Sequence, residues 1–302
     1  MAPLAKRIKN DLIYGLVVGL IALLRLLPRG SAAALMRGLA GAGFRLARKE
    51  REKTIRHLTL AYGSEKSPAQ IEALAGAVWS HFGVMAVDAI RLPRILAAGI
   101  NTLVEAQGVE RLRSALGRGR GVIVLTGHFG NWELFGAWVA QNGFPVKVVG
   151  TSAYDPRLDR IIVGLRNAAG YTNIARGKGT REIIRTLRDN EVLGMLIDQD
   201  TRVDGVFVNF FGRAAHTAVG PVILAQKMGC ALLPAFIHLK EDGRYLIEFD
   251  EEITLTTTGD AAQDQVVNTQ KISDAYERAI RRHPEQWVWM HERWKKQPGE
   301  GA

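Results

Sequence analysis

The hydrophobic pattern of this chain changes near residue 102. Beyond that point, short apolar runs that resemble buried strands alternate with amphipathic stretches of helical period. The predicted strands are 121–126, 146–150, 192–197, 231–239 and 244–249, and the predicted helices are 132–142, 156–169, 180–190, 217–227 and 264–282. Strands that alternate with helices form βαβ units with parallel strands. The pattern therefore predicts an α/β fold with a mainly parallel central sheet flanked by helices, closed by a hairpin across 241–243.

The first thirty residues have the pattern of a membrane-seeking helix. Residues 12–24 are apolar and uncharged, with Lys6, Arg7 and Lys9 before them and Arg25 directly after them. This run is shorter than the ~20 residues that span a bilayer comfortably. We therefore expect residues 1–30 to form a retained anchor helix that either crosses the membrane with a tilt or lies in its interface. Cations on both sides leave its orientation undetermined.

Residues 31–100 also have a helical pattern. The segment 45–62 is strongly basic with interleaved apolar residues, which predicts a surface that lies on anionic lipid headgroups; a solvated helix face is the alternative. Ser67 and Pro68 begin a further helix that reaches about Leu92, with its aromatic residues in the core. We expect this region to be continuous with the α/β domain, residues 101–302.

Composition and charge narrow the class of partner. The 302 residues carry a formal net charge of +10, which predicts an anionic partner: nucleic acid, a membrane surface or an acidic substrate. Aromatic residues make up 7% of the chain and are not interleaved with basic ones, so the pattern disfavours single-strand nucleic-acid binding. The single cysteine, Cys230, excludes an internal disulfide, and no Cys or His group has the spacing of a zinc site.

The candidate catalytic chemistry lies in residues 122–133, where an apolar strand runs into a glycine-flanked turn. This turn carries His128, and Glu133 follows five positions later. At the carboxyl end of a parallel strand, where open α/β sheets bind ligands, this spacing predicts a general base and its orienting acid. No nucleophilic Ser or Cys is required if the substrate brings its own hydroxyl, so the spacing favours group transfer to an alcohol. A hydrogen-bonded turn histidine and a solvated acid are the structural alternative.

Two further segments have candidate binding residues. Arg176, Lys178 and Arg181 lie in a glycine-containing loop before a helix, which predicts an anion site for phosphate groups, with a plain flexible loop as the alternative. Asp198 and Asp200 follow an apolar strand, and a structural or cation-orienting role is favoured over metal binding. The apolar segment 206–212 fits an acyl-chain groove and a buried edge strand equally well.

Taken together, these segments resemble the bacterial lipid A biosynthesis acyltransferases, the late lauroyl and myristoyl transferases. The resemblance rests on the following segments: 126–133 (Thr-Gly-His-Phe-Gly-Asn-Trp-Glu), the 176–181 loop, Asp198-Gln-Asp200, 206–212, Thr217 and the tryptophan-rich stretch 283–296. These belong to the wider glycerolipid acyltransferase group, in which a His is followed after four residues by an acid. The match extends over nearly the whole chain.

The resemblance implies acyl transfer from an acyl carrier protein or acyl-CoA thioester to a hydroxyl of a lipid A precursor, with no metal, cofactor or covalent acyl-enzyme. His128 is then the general base and Glu133 its orienting acid. Asn131, or backbone amides near Gly127 and Gly130, would stabilise the oxyanion, and Arg176, Lys178 and Arg181 would hold phosphates. The implied location is the cytoplasmic face of the bacterial inner membrane.

Three alternatives stay open at this point. Related enzymes acylate other glycolipids such as phosphatidylinositol mannosides. A lipid or thioester hydrolase would use the same histidine to activate water. A non-enzymatic membrane-binding protein would explain the charge and the anchor, but not the context of His128.

Overall fold

A computed structural model describes residues 4–153, 155–177 and 179–299 of the chain. The first part is helical, as the sequence predicted. Its helices are α1 (Leu4–Leu26), α2 (Arg29–Leu46), α3 (Arg48–Tyr62), α4 (Pro68–Ile90) and α5 (Leu92–Ala98). Helix α4 begins at the predicted position because Ser67 and Gln70 form a reciprocal capping box ahead of the first turn.

In the described part of the chain, seven strands form one sheet: β1 (Val104–Gln107), β2 (Val122–Thr126), β3 (Val146–Gly150), β4 (Thr172–Ala175), β5 (Val192–Leu196), β8 (Ala231–Leu239) and β9 (Tyr245–Phe249). Their order across the sheet is β1-β9-β8-β2-β5-β3-β4. All neighbours pair in parallel except β8 and β9, which form the predicted antiparallel hairpin. The predicted fold class, a mainly parallel sheet flanked by helices, is confirmed.

Helices cover both faces of this sheet, since alternate side chains of a strand point to opposite sides. On β2, Val122 and Val124 belong to one apolar core, while Ile123 and Leu125 belong to the other. The remaining helices are α6 (Val109–Gly117), α7 (Trp132–Gln141), α8 (Pro156–Ala168), α9 (Thr180–Arg188), α10 (Gly220–Met228) and α11 (Ala261–Arg282). The sheet is therefore packed between two apolar cores, and these fix the positions of its strand ends.

The segment 205–218 forms a separate antiparallel pair, β6 (Gly205–Phe210) and β7 (Arg213–Ala218). Val208 and Phe210 are buried, and Phe210 belongs to one of the two apolar cores. Of the two interpretations of segment 206–212, the structure therefore supports the buried edge strand. The helix predicted from Thr217 begins later, at Gly220, because residues up to Ala218 pair with β6.

The helical N-terminal part is bound to the sheet through a buried acid. Asp88 on α4 accepts hydrogen bonds from Arg29 at 2.8 Å and from the Tyr245 hydroxyl on β9 at 2.9 Å. Asp88 is fully buried, and the pairing raises the pKa of Arg29 above its ordinary value. The helices and the sheet are thus joined by a charged contact as well as by apolar packing.

The anchor predicted for residues 1–30 is one helix, α1, followed by the start of α2. Along α1, apolar side chains face away from the protein: Ile8, Leu12, Ile13, Leu16, Val18, Leu23 and Leu26 are exposed. Within the described residues, the helix long and apolar enough to cross a membrane is instead α4. Ile71, Val78 and Val87 on α4 are buried in the protein, so α4 fits the core helix that the sequence predicted.

Candidate active site

The register of two neighbouring strands brings His128 and Asp198 together. Strands β2 and β5 are parallel, and Thr126 at the end of β2 lies opposite Leu196 at the end of β5. His128 and Asp198 each follow two residues after these paired ends. Equal offsets beyond a parallel pair place two side chains side by side at the carboxyl edge of the sheet, where open α/β sheets bind their ligands.

Asp198 holds both the ring and the backbone of His128. Its Oδ1 lies 3.0 Å from His128 Nδ1, and its Oδ2 accepts the His128 backbone N–H at 2.7 Å and the Trp287 indole N–H at 2.8 Å. A carboxylate at this position fixes the tautomer with hydrogen on Nδ1 and leaves Nε2 able to accept a proton. His128 retains 28% side-chain exposure, whereas the Asp198 side chain has none.

The charge state of Asp198 suits this role. Complete burial acts to raise the pKa of Asp198. The imidazole of His128 and the hydrogen bonds from His128 and Trp287 act to lower it and have the larger combined effect, so the pKa lies below its ordinary value. Asp198 is therefore ionised at neutral pH and can stabilise an imidazolium when one forms. A general base needs this kind of support from its neighbour.

The predicted contact between Glu133 and His128 is corrected by the structure. Glu133 lies in the first turn of α7 and pairs with Arg166 of α8, at 2.9 Å to Nε and 2.5 Å to Nη2. It also accepts the Tyr171 hydroxyl at 2.7 Å. Burial raises the pKa of Glu133, but these contacts outweigh it and the pKa is lowered. The acid that holds the imidazole is Asp198, which is 70 positions away in sequence.

A cavity of about 530 Å³ opens beside the imidazole. The partly exposed polar residues of its lining include His128, Glu133, Arg166 and Arg176, and we call this part of the cavity its mouth. Its inner wall is apolar and is supplied by three strands and α7: Val124, Phe135, Val139, Val146, Val148 and Val192. The volume lies within the ~300–1,000 Å³ of typical ligand pockets. The arrangement suits a ligand with a reactive polar end and a long apolar body.

A glycine in the middle of β5 keeps this cavity open. Gly194 pairs with Val124 on one side and Val148 on the other. A Cβ at this position would lie 3.0 Å from Val148 Cγ1. Glycine inside a buried strand often marks a place where a ligand approaches the backbone closely.

The predicted anion loop is divided by the structure. Arg176 lines the mouth of the cavity with His128, but Arg181 borders a separate groove with Lys147 and Arg185. Lys178 lies outside the described residues. Of Arg176 and Arg181, only Arg176 therefore lines the same cavity as His128.

Asn131 was predicted to bind substrate or the oxyanion, and the structure corrects this. It is fully buried and caps α7, accepting from the Leu134 backbone N–H and donating to the Met85 carbonyl. The Gly130 amide, one of the two backbone donors predicted with it, is bonded to the Gln286 carbonyl at 2.8 Å. Asn131 and the Gly130 amide are therefore both bonded to other groups of the protein and do not face the cavity as free donors.

The two acids after β5 also serve the protein itself. Both were candidate binding residues, with a structural or cation-orienting role favoured over metal binding. Asp198 is buried against His128 and Trp287, so it holds the imidazole and does not face a substrate. Asp200 lies 3.2 Å from His216 Nδ1 and accepts the Lys296 backbone N–H at 3.0 Å. Among the described residues, no three His, Cys, Asp or Glu side chains are grouped so that they could hold a metal ion.

Three residues near the histidine were not predicted as site residues: Arg166, Tyr171 and Trp287. Arg166 lies within the predicted helix 156–169, and Tyr171 lies just beyond it. Only the folded chain shows that both side chains contact Glu133. Trp287 lies in the tryptophan-rich stretch that carried part of the family resemblance. The sequence therefore indicated that this stretch is typical of the family, but it did not indicate a role for Trp287.

Comparisons with known proteins show the family of this chain. The family of bacterial lipid A biosynthesis acyltransferases matches residues 5–296. A phosphatidylinositol mannoside acyltransferase of Mycolicibacterium smegmatis is 29% identical over 278 residues, covering 89% of this chain and 88% of its own length. A protein of the same description from Mycobacterium tuberculosis is 29% identical over 215 residues, 68% of this chain and 66% of its own.

A relative from the lipid A pathway is also similar. The lipid A biosynthesis lauroyltransferase of Escherichia coli is 27% identical over 201 residues, covering 64% of this chain and 62% of its own length. The family match spans almost the whole described chain, including the strand ends that carry His128 and Asp198. The chain therefore belongs to the bacterial lipid A biosynthesis acyltransferase family and is an O-acyltransferase.

Proposed function

We propose that this enzyme moves a fatty acyl chain from an acyl carrier protein or coenzyme A thioester to a hydroxyl of a membrane glycolipid. The observation that carries the proposal is the His128–Asp198 pair at the polar mouth of an apolar cavity. Neither a protein nucleophile nor a metal is needed in this reaction, because the acceptor hydroxyl is itself the nucleophile.

In the proposed step, His128 Nε2 takes the proton of the acceptor hydroxyl while the hydroxyl oxygen attacks the thioester carbonyl carbon. The new C–O bond forms, the C–S bond breaks, and the imidazolium returns the proton to the leaving thiolate. Asp198 stabilises the imidazolium between these two transfers. General-base assistance of this kind accelerates a reaction by roughly 10²- to 10⁴-fold.

The cavity supports an acyl substrate. Its apolar wall follows β5 from the level of Leu196 back to Val192. A strand rises by ~3.3 Å per residue, so this wall is about 13 Å long. An acyl chain lying along it would leave its thioester carbon beside His128 at the mouth. Burial of each methylene contributes ~0.8 kcal/mol, which makes a long chain a strong source of binding energy.

The charges at the mouth support a phosphate-bearing partner. Arg176 is exposed there, and both proposed donors and a phosphoglycolipid acceptor carry phosphate. Arg166 already donates hydrogen bonds to Glu133 and Asn173, so its contribution to phosphate binding is mainly its positive charge. The net charge of +10 acts in the same direction at longer range.

The acceptor is proposed to be a glycolipid of the phosphatidylinositol mannoside type, with a lipid A precursor as the second candidate. Lipid A precursor was the acceptor that the sequence resemblance implied, and mannosides were the alternative. The comparisons favour the alternative, because the mannoside acyltransferase of M. smegmatis covers 89% of this chain and the E. coli lauroyltransferase covers 64%.

We also propose that the enzyme works at the cytoplasmic face of the inner membrane. The exposed apolar residues of α1, among them Leu12, Leu16 and Leu26, support contact with a lipid surface. Acyl carrier protein and acyl-CoA donors are cytoplasmic, so the mouth of the cavity must be reached from that side.

The test uses the purified full-length protein in mild detergent with labelled acyl-CoA and acyl carrier protein donors of several chain lengths. Phosphatidylinositol mannosides, a lipid A precursor and no acceptor are compared, and products are resolved by mass spectrometry. An acylated mannoside is expected. Acylated lipid A precursor alone would reverse the choice of acceptor. Free fatty acid alone would indicate a hydrolase, and donor that is bound but not consumed would indicate a membrane-binding protein.

A further inference from the structure

The stretch that follows α11 is bound to the turn that carries His128. The Gly130 amide donates to the Gln286 carbonyl at 2.8 Å, and the Val288 amide donates to the His128 carbonyl at 3.2 Å. Phe129 and Trp287 form an antiparallel bridge between these two bonds. Residues 286–288 therefore extend along the catalytic turn as a short added strand, which we call the bracing segment.

The bracing segment also reaches the acid behind the histidine. Trp287 is fully buried, and its indole N–H donates to Asp198 Oδ2 at 2.8 Å. The same oxygen accepts the His128 backbone N–H at 2.7 Å. The bracing segment thus holds the histidine turn through the backbone groups of Gln286 and Val288, and it holds the orienting carboxylate through the side chain of Trp287.

We propose that Trp287 is a positioning residue for the acyl-transfer reaction. It orients Asp198 toward His128 Nδ1 and limits how strongly that carboxylate attracts the proton of the imidazolium. This inference rests on the proposed general-base role of His128. Trp287 itself is not among the residues that line the cavity, so it acts through Asp198 and not on the substrate.

The physical reason lies in the distribution of charge on the carboxylate. A buried carboxylate spreads its charge over the donors that it accepts, and hydrogen bonds to charged groups are the stronger kind. Without the indole donor, Asp198 would hold more negative charge against the ring of His128. The imidazolium would then be favoured and would release its proton less readily. The acid limb of the pH–rate profile, which reports deprotonation of the base, would move to higher pH.

Other titratable groups surround this pair and stay in place in the test. His291 and Arg293, which follow the bracing segment, interact electrostatically with Asp198, and Tyr276 on α11 does so as well. The Glu133–Arg166 pair lines the same cavity as His128. A substitution at Trp287 leaves all of these side chains unchanged, so a moved profile is assigned to the lost donor.

Trp289 supplies a matched control. It is the same residue type two positions later, and it is equally buried. Its indole N–H donates to the Pro284 carbonyl at 2.6 Å and not to Asp198. Substitution of either tryptophan by phenylalanine removes one buried N–H donor and part of one ring, so both variants lose similar packing. Only one of them loses a donor to the catalytic pair.

The experiment measures kcat and KM from pH 5 to 9 for wild type, Trp287→Phe and Trp289→Phe, with thermal unfolding of each. For Trp287→Phe we expect a fall in kcat of about tenfold and an acid limb moved up by roughly half to one pH unit, with KM unchanged. For Trp289→Phe we expect a comparable loss of thermal stability with the wild-type pH profile.

The outcomes separate the two proposals. An active wild-type enzyme with an unmoved profile in Trp287→Phe overturns the positioning role alone, and so does an equal movement in Trp289→Phe. A wild-type enzyme that forms no acylated lipid overturns the proposed function and this inference with it.

Discussion

Replacement of Asp198 by Asn tests the pairing at the active site most sharply, because the amide has nearly the same shape but a different hydrogen-bonding pattern. In the structure, Oδ2 of Asp198 accepts two N–H donors and Oδ1 faces His128 Nδ1. An amide oxygen satisfies the two donors, so the amide NH₂ group is left facing the ring. Nδ1 must then accept, and the hydrogen of the neutral ring moves to Nε2.

That tautomer cannot take a proton from the acceptor hydroxyl. We therefore expect Asp198→Asn to lower kcat by roughly 10²- to 10⁴-fold, which corresponds to about 2.7–5.4 kcal/mol of barrier. KM should change little, because Asp198 is buried behind the histidine and is not in the cavity wall. The assay is acyl transfer to the glycolipid acceptor under saturating donor, with thermal unfolding of the variant measured in parallel.

Asp200→Asn is the matched control, since Asp200 is also buried and also faces a histidine, His216. It should cost stability but leave kcat within a few-fold of wild type. Glu133→Gln is the second comparison. It breaks the pair with Arg166 and should lower the unfolding free energy by about 3 kcal/mol, but it leaves the contact of Asp198 with His128 and so the ring tautomer in place. A folded Asp198→Asn enzyme with near wild-type kcat would refute the tautomer argument.

Two further predictions concern the cavity and the pH dependence of stability. Gly194→Ala places a methyl group about 10 Å along the cavity wall from Ile197, so the enzyme should come to prefer shorter acyl donors. The measurement is the transfer rate of the variant relative to wild type for a series of acyl chain lengths. The same ratio at every chain length would contradict the placement of the acyl chain in this cavity. Burial lowers the pKa of His81 from 6.5 to about 4, so between these values the unfolded state binds the extra proton and the unfolding free energy falls as pH falls, by up to about 3 kcal/mol. Denaturant unfolding of wild type and His81→Phe at pH 7 and pH 4.5 should therefore show a smaller acid loss in the variant, and parallel losses would be the contrary result.

Much of the fold follows from periodicity alone. The apolar runs that became β3 and β8 were predicted with the bounds that the structure has, and the hairpin of β8 and β9 followed from its turn residues. These features are local, because the chemistry of a few consecutive residues decides them. The helix predicted from Thr217 started late because pairing with a neighbouring strand overrode the local signal.

The site was only partly predictable for the same reason. The position of His128 at a strand end is local, and its identification as the candidate base stays a prediction that the geometry supports. Its partner depends on which strand lies next to β2 and in what register, and single-sequence spacing does not contain that information. Glu133 was chosen because it is near in sequence, whereas Asp198 is near in space. Asn131 was misassigned because a buried helix cap and a ligand-binding amide look alike in sequence.

In the proposed reaction, His128 is the base that deprotonates the acceptor hydroxyl. The most direct measurement is the rate of acylated glycolipid formation by purified wild type and His128→Ala, with folding of the variant checked by thermal unfolding. We predict that the folded variant loses acyl transfer by at least about 10²-fold while it still binds the acyl donor. Acyl transfer by the folded variant at a rate near that of wild type would show that His128 is not the base.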